Sequence, residues 1–309
     1  VFGQMAKDVL EVDAAERMPE IVSRAFHTAT AGRPGPVVVA LPEDMLRDKV
    51  EAIPARPWQP VETDVGQPEL ERLQAFLAAA ERPFVIVGGG GWTAEAAANL
   101  QAFAAVHKIP VGASFRCQDY FDNTNPFYAG HVGVGIDANL ARRVRDADLL
   151  VVIGARLGEM TTSGYTLLQV PSPQQVLVHV HADAEEVGRV YRPDLGINAS
   201  PHRFVKALTR LPGAENCRWL DWTTAARREF EAFIQPTAVP GGVNLGKIVA
   251  SLRDMLPPEA IVTNGAGNYA TWVHRFHLYS RFRSQLAPTS GSMGYGLPAA
   301  IAAQFVHRD

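Results

Sequence analysis

At 309 residues, 47% hydrophobic and 20% charged, the chain is long enough for two or three compact units, since single domains usually run about 100–200 residues. Its 29 Lys and Arg against 32 Asp and Glu give a formal charge of −3, so there is no basic field for a phosphate backbone or an anionic bilayer, and neither nucleic acid nor membrane is an expected partner. Cys117 and Cys217 are too few for a disulfide scaffold and form no CxxC pair; with no apolar run near the ~18 residues of a membrane span, a soluble, cytoplasmic protein with ordinary thiols is expected. The chain begins without methionine, and its opening "VFGQMAKDVLEVD" reads as the middle of something, so a piece of a longer polypeptide is expected.

Along the chain, Pro19 to Ala31 has helical spacing, with Ile21, Val22, Ala25, Phe26 and Ala29 on one face and Gly32 as the stop. The apolar run Pro36 to Leu41 then predicts a strand buried on both faces, as in a parallel sheet. A proline-rich linker follows; one helix and one strand cannot bury themselves, so residues 1–60 are expected to be the tail end of a domain plus linker. From Pro68 the pattern alternates helix and strand: "PELERLQAFLAAA", "PFVIV", Ala94 to His107, "IPVGAS", "ANLARRVRDA", "DLLVVIG" and "QQVLVHV" leading into "DAEEVGRV". This predicts an α/β, doubly wound, parallel-sheet domain over 61–235 with four strands, closed by a helix over 218–234. The polar segments "RCQDYFDNTNPFYAGHVGVGI" and "ARLGEMTTSGYTLLQVPSP" follow strand ends, where open α/β sheets place ligands. After the linker "QPTAVPGGVN", a third unit over 236–309 starts with the helix "LGKIVASLRDML" and the strand "AIVTN".

Several motifs carry chemistry. "VIVGGGGW" follows a strand, but a GxGxxG frame from Gly88 puts Thr93 at the third glycine, and the next strand ends without the acid that takes a ribose hydroxyl. A plain strand-to-helix turn stands against a flavin or nucleotide bound differently at Gly89 and Gly90. His179 and His181 share one strand face, a spacing that metals use, but no third ligand is near, so a packed or hydrogen-bonded histidine is favoured over a metal site. Arg156 either pairs with Glu159 or meets a phosphate or flavin. "TNGAGNYATW" places Gly265 and Gly267 between strand and helix, leaving N–H groups for an anion, and "TSGSMGYGLPAA" repeats the device with Met293 projecting from small residues. The basic run "VHRFHLYSRFRS" either contacts substrate or is a solvated face, and the solvated face is favoured.

"GRPGPVVVALPED", "DADLLVVIGARLGE", "LVHVHADAEEVGRVYRPDL" and "TSGSMGYGLPAAIAAQ", in that order, resemble the thiamine diphosphate-dependent enzymes of the acetolactate synthase type. The resemblance implies a central Rossmann-like domain, holding a flavin (FAD) in some members, flanked by incomplete pieces of a pyrimidine-binding and a diphosphate-binding domain. It implies thiamine diphosphate contacts from Ala266, Gly267, Asn268 and Tyr269 to the diphosphate and from Gly291, Ser292 and Met293 to the rings, the Gly291 carbonyl accepting from the 4′-amino group and Met293 wedging between the rings. The catalytic glutamate and the Mg2+ ligands of the family match nothing between Val1 and Asp309, so this chain contributes no metal ligand.

The implied activity of the parent protein is decarboxylation and carboligation of a 2-oxo acid, pyruvate to 2-acetolactate plus carbon dioxide, in a homodimer or homotetramer, with this chain alone inactive. The competing expectation is a non-catalytic fragment or flavin-binding module.

Overall fold

The computed structural model describes residues 2–3, 5–51, 53–213 and 217–308; the outermost residues of the first and last expected domains, 1 and 309, lie outside them. The chain divides into two compact units, Val1–Thr63 and Asp64–Asp309.

In the first unit, β1 (Asp8–Glu11) is followed by α1 (Met18–Thr30) and β2 (Val37–Ala40). Pro19 sits in the first turn of α1, where its missing N–H costs no hydrogen bond. β1 and β2 pair in parallel, from Asp8 opposite Val37 to Glu11 opposite Ala40. This corrects the expectation of a lone strand: "DVLE" pairs with it, although its charged ends hide the pattern. Val37, Val38 and Val39 are half-buried rather than enclosed on both faces, and Ile21 and Ala25 of α1 share a small core with Leu10, Val12, Ala15 and Met45. Phe26, expected on the buried face, is exposed.

The second unit is built on one parallel six-stranded sheet of β3 (Pro83–Val87), β4 (Val111–Ser114), β5 (Tyr128–Val132), β6 (Leu149–Ile153), β7 (Val176–His181) and β8 (Leu195–Asn198), in the order β5-β4-β3-β6-β7-β8. Two more strands are present than the four expected, β5 and β8, one at each edge. Successive residues of the apolar runs face opposite sides. Val85, Val87, Val151 and Val178 join one core with α2 (Gln67–Ala79), α3 (Ala94–His107) and α5 (Pro201–Leu208). Phe84, Ile86, Leu150, Val152 and Leu177 join the other with α4 (Ala138–Asp146). With both faces covered, the strands need no polar alternation, which is why they are legible as continuous apolar runs. The segment "DAEEVGRV" forms turns.

Beyond α6 (Leu220–Phe233), the chain continues in the same unit through α7 (Leu245–Met255), β9 (Val262–Thr263), α8 (Ala270–Phe276), β10 (Gln285–Leu286) and α9 (Gly296–Val306). β9 and β10 form a parallel two-stranded sheet. This C-terminal segment is tied to the large sheet by buried polar side chains. The Asn123 amide donates to the carbonyls of Gln118 and Phe121 at 2.8 and 2.7 Å, and its carbonyl oxygen accepts from the Tyr279 N–H at 3.0 Å. Gln118 donates through its side chain to the His274 carbonyl at 2.8 Å, and Gln285 accepts from the Gln118 N–H at 2.9 Å.

Candidate functional site

Strand order reverses between β3 and β6, so their C-terminal ends mark the switch point where open α/β sheets leave a crevice. Here protein atoms fill that point. The Gly88 N–H donates to the Ile153 carbonyl at 3.1 Å, Trp92 Nε1 donates to the Gly88 carbonyl at 2.8 Å, and the Tyr120 hydroxyl donates to the Gly89 carbonyl at 2.7 Å. A Cβ on Gly88 would lie 1.8 Å from Ser114 Oγ, and one on Gly89, whose φ is +71°, would lie 1.9 Å from the Gly154 carbonyl oxygen. Close chain crossing accounts for these two glycines; of the four in this turn, Gly90 is the one that faces open space. Helix α3, which follows, is capped by Thr93, whose hydroxyl accepts from the Ala96 N–H at 3.1 Å.

Arg156 pairs not with Glu159 but with Glu186, a buried carboxylate 3.0 Å from its Nε. His179 Nε2 lies 3.0 Å from the Ala155 carbonyl, and His181 Nδ1 accepts the Asp183 N–H at 3.0 Å. Burial holds His179 well below the usual histidine range, at about 4. Among the described residues no three His, Cys, Asp or Glu side chains stand together as a metal site, and both histidines, on β7 next to the edge strand β8, make hydrogen bonds to main chain.

The two glycine turns of the C-terminal segment meet. Gly265 and Gly296 touch so closely that a Cβ on Gly296 would lie 2.9 Å from the Gly265 nitrogen, and Thr263 Oγ1 donates to the Gly296 carbonyl at 2.9 Å. The Gly265 N–H donates to the Tyr269 hydroxyl at 2.8 Å, which corrects the expectation that it is free for an anion. Among the described residues the N–H groups of Ala266, Gly267, Asn268 and Tyr269 have no protein acceptor, and Gly267 to Tyr269 are exposed. Gly291 and Gly294 hold left-handed backbone, φ +76° and +77°, with nothing within 4 Å of where a Cβ would stand. Between them Met293 is 88% exposed, which no core-filling role explains. Ser292 shares a 2.8 Å hydrogen bond with Ser290. The expected residues therefore lie on an open ledge in two stretches, the main chain over 266–269 and the glycine turn carrying Met293, whose flanks meet where Gly265 touches Gly296.

The run "VHRFHLYSRFRS" is not a solvated face. His274, Phe276, His277 and Tyr279 are buried, and Arg275 donates to the Phe233 carbonyl at 2.8 Å. Burial keeps His274 and His277 near 4, so each stays neutral at pH 7 and packs like an aromatic ring.

A six-stranded parallel sheet with helices on both faces, leading into two glycine turns, defines a doubly wound α/β protein. Residues 70–208 match the central domain of thiamine pyrophosphate enzymes, and residues 265–309 match their C-terminal TPP binding domain. The chain belongs to the thiamine pyrophosphate enzyme family. Similar curated proteins include the acetolactate synthase large subunit of Parasynechococcus marenigrum, 30% identical over 94% of this chain and 48% of that protein. The acetolactate synthase isozyme 2 large subunit of Escherichia coli is 27% identical over 95% and 52%, and the probable acetolactate synthase large subunit of Methanocaldococcus jannaschii 27% over 98% and 54%. The chain spans about half the length of these relatives.

Proposed function

We propose that the chain supplies part of a thiamine diphosphate site in an enzyme that decarboxylates a 2-oxo acid and joins the product to an acceptor, with pyruvate giving 2-acetolactate as the leading case. The observation that carries this reading is the ledge itself: Met293 bare of packing between two left-handed glycines, and four main-chain N–H groups without acceptors among the described residues. When bound, thiamine diphosphate supplies the carbon nucleophile and the electron sink for losing carbon dioxide. The N–H groups of Ala266, Gly267, Asn268 and Tyr269 are suited to phosphate oxygens, and Asn268 adds a side-chain donor. Gly291 lets the main chain approach a flat ring without a Cβ between, Ser292 offers a hydroxyl, and Met293 presents an unbranched apolar side chain to wedge against it.

The acidic ligands for magnesium are assigned to the parent protein outside this chain, as are the catalytic glutamate and the transferase or lyase outcome; a homodimer or homotetramer in the cytoplasm completes the reading. The chain by itself is proposed to be inactive. A flavin at Gly89 and Gly90 gains no support from a turn whose neighbouring carbonyls already accept from Trp92 and Tyr120.

The test is turnover of pyruvate by the full-length protein with thiamine diphosphate and magnesium, following carbon dioxide and 2-acetolactate by mass spectrometry. Gly291→Val and Met293→Asp are each expected to lose at least tenfold in cofactor affinity or turnover while remaining folded. Unchanged values in both would remove the assignment of this turn.

A further inference from the structure

The turn over 265–269 has a polarity of its own. Its carbonyls are claimed by the chain: Asn264 Nδ2 donates to that of Gly265 at 2.8 Å, and the N–H groups of Ala270, Thr271 and Trp272 donate to those of Gly267, Asn268 and Tyr269 at 3.0, 3.2 and 3.1 Å. Thr271 Oγ1 adds a second bond to the Asn268 carbonyl at 2.6 Å. The N–H groups of Ala266 to Tyr269, by contrast, have no acceptor among the described residues. Acceptors spent on the protein and donors left free make a face suited to an anion.

Glycines also make such a turn loose. Gly265 and Gly267 leave the main chain many conformations, and donors that must be ordered during binding lose part of the affinity they could give. One side chain answers this. The N–H of Gly265, a buried residue, donates to the Tyr269 hydroxyl at 2.8 Å, so that with Asn264 on its carbonyl this glycine is gripped by side chains at both of its polar groups. The phenol lies along the turn: a Cβ on Gly265 would stand 2.9 Å from the hydroxyl oxygen, and one on Gly267 would stand 3.1 Å from ring carbons Cδ1 and Cε1.

Tyr269 is 50% exposed, so water could satisfy its hydroxyl, yet the group turns back to a buried N–H that has no other acceptor among the described residues. Were the phenol aimed outward, that N–H would carry the full desolvation penalty of an unpaired donor.

We propose that Tyr269 is the positioning residue of the diphosphate turn: by accepting the Gly265 N–H, its hydroxyl holds the N–H groups of Ala266, Gly267 and Asn268 outward before the cofactor arrives. This deepens the reading above and rests on it. The side chain acts through Gly265, and the phosphate oxygens meet main chain.

The test compares the full-length wild type with Tyr269→Phe, which keeps the ring and removes the hydroxyl. Thiamine diphosphate affinity with magnesium present, read by calorimetry, is expected to fall about five- to tenfold, as one lost hydrogen bond predicts. The KM for thiamine diphosphate should rise in step while the KM for pyruvate does not. Residue-resolved amide hydrogen exchange without cofactor is expected to quicken over 265–268 in the variant. In the wild type the Gly265 amide should exchange more slowly than those of Ala266, Gly267 and Asn268, a measurement that stands if the variant does not fold.

Equal affinity in the folded variant overturns the proposal, as does a wild-type Gly265 amide that exchanges as fast as its neighbours. Weaker affinity with unchanged exchange would put the phenol on the cofactor itself and overturn the positioning role. A wild type that binds no thiamine diphosphate sinks the family chemistry and the ligand named here with it, while the exchange data still report whether the brace exists, so the two failures are told apart.

Discussion

Two glycine-rich turns of this chain look alike as strings and behave oppositely as structures. In "GGGGW" the glycines are demanded by protein: Ser114 Oγ stands where a Gly88 side chain would begin, the Gly154 carbonyl stands where that of Gly89 would, and Trp92 and Tyr120 cover the two carbonyls. In "GSMGYG" the left-handed glycines face empty space, and the residue between them is the exposed Met293. The lesson is that a glycine run signals a close approach without saying of what. Where the approaching group is the chain itself the turn is a packing device; where nothing of the chain comes near, the turn is free to receive something else.

The comparison can be broken most sharply at Gly89. Gly89→Ala forces a Cβ against the Gly154 carbonyl in a backbone with positive φ, and a loss of about 3 kcal/mol or more in urea unfolding is expected. A loss under about 1 kcal/mol would mean that the crossing is loose and the turn available to a ligand after all. Asp119 tests the boundary between the two regions, since it accepts the Gln285 N–H at 3.2 Å while burial pushes its carboxyl up to about 6. A folded pKa above the unfolded value means that its contribution is fully present below about 4 and is lost as pH rises through about 6. Asp119→Asn should therefore stabilise the chain by about 1–3 kcal/mol at pH 7 and by little at pH 4. His131 and His274, whose depressed values make stability fall as pH drops below the histidine range, act alike in both proteins and cancel from that difference.

Gly291→Ala sharpens the contrast with Gly89. Having only the left-handed strain and no clash, it should cost about 1 kcal/mol in the same unfolding measurement. Smallest of all, Met293→Ala should leave stability within about 0.5 kcal/mol of wild type, as expected for a side chain that touches little. A larger loss would show that Met293 is packed in solution.

Much of this was legible from residue patterns, and what was not has a common cause. β3, β4, β6 and β7 show as apolar runs because both faces of the sheet are covered. β5 was hidden because "YAGHV" carries a glycine and a histidine within a polar loop, and β8 because "LGIN" is four residues with a glycine among them. In the candidate site, the small residues of the turn around Met293 made an open loop legible, whereas the capture of the Gly265 N–H by Tyr269 depends on how a side chain four residues away folds back. The basic run over 273–284 misled because charge suggests water, while its histidines shed their charge on burial and its main chain is claimed by Asn123.

Asn123 gives the molecule a property that its covalent connectivity does not. A protease cut in the exposed glycine-bearing stretch 240–243 would sever the backbone, yet the distal portion stays held by one asparagine and two glutamines reaching across to main chain. The nicked species would run as one particle on a sizing column and as two bands in detergent. Its two pieces would behave as a reversible pair whose dissociation constant reads that polar clasp together with the packing of Leu278 and Phe282 against the core and the bond from Arg275 to Phe233.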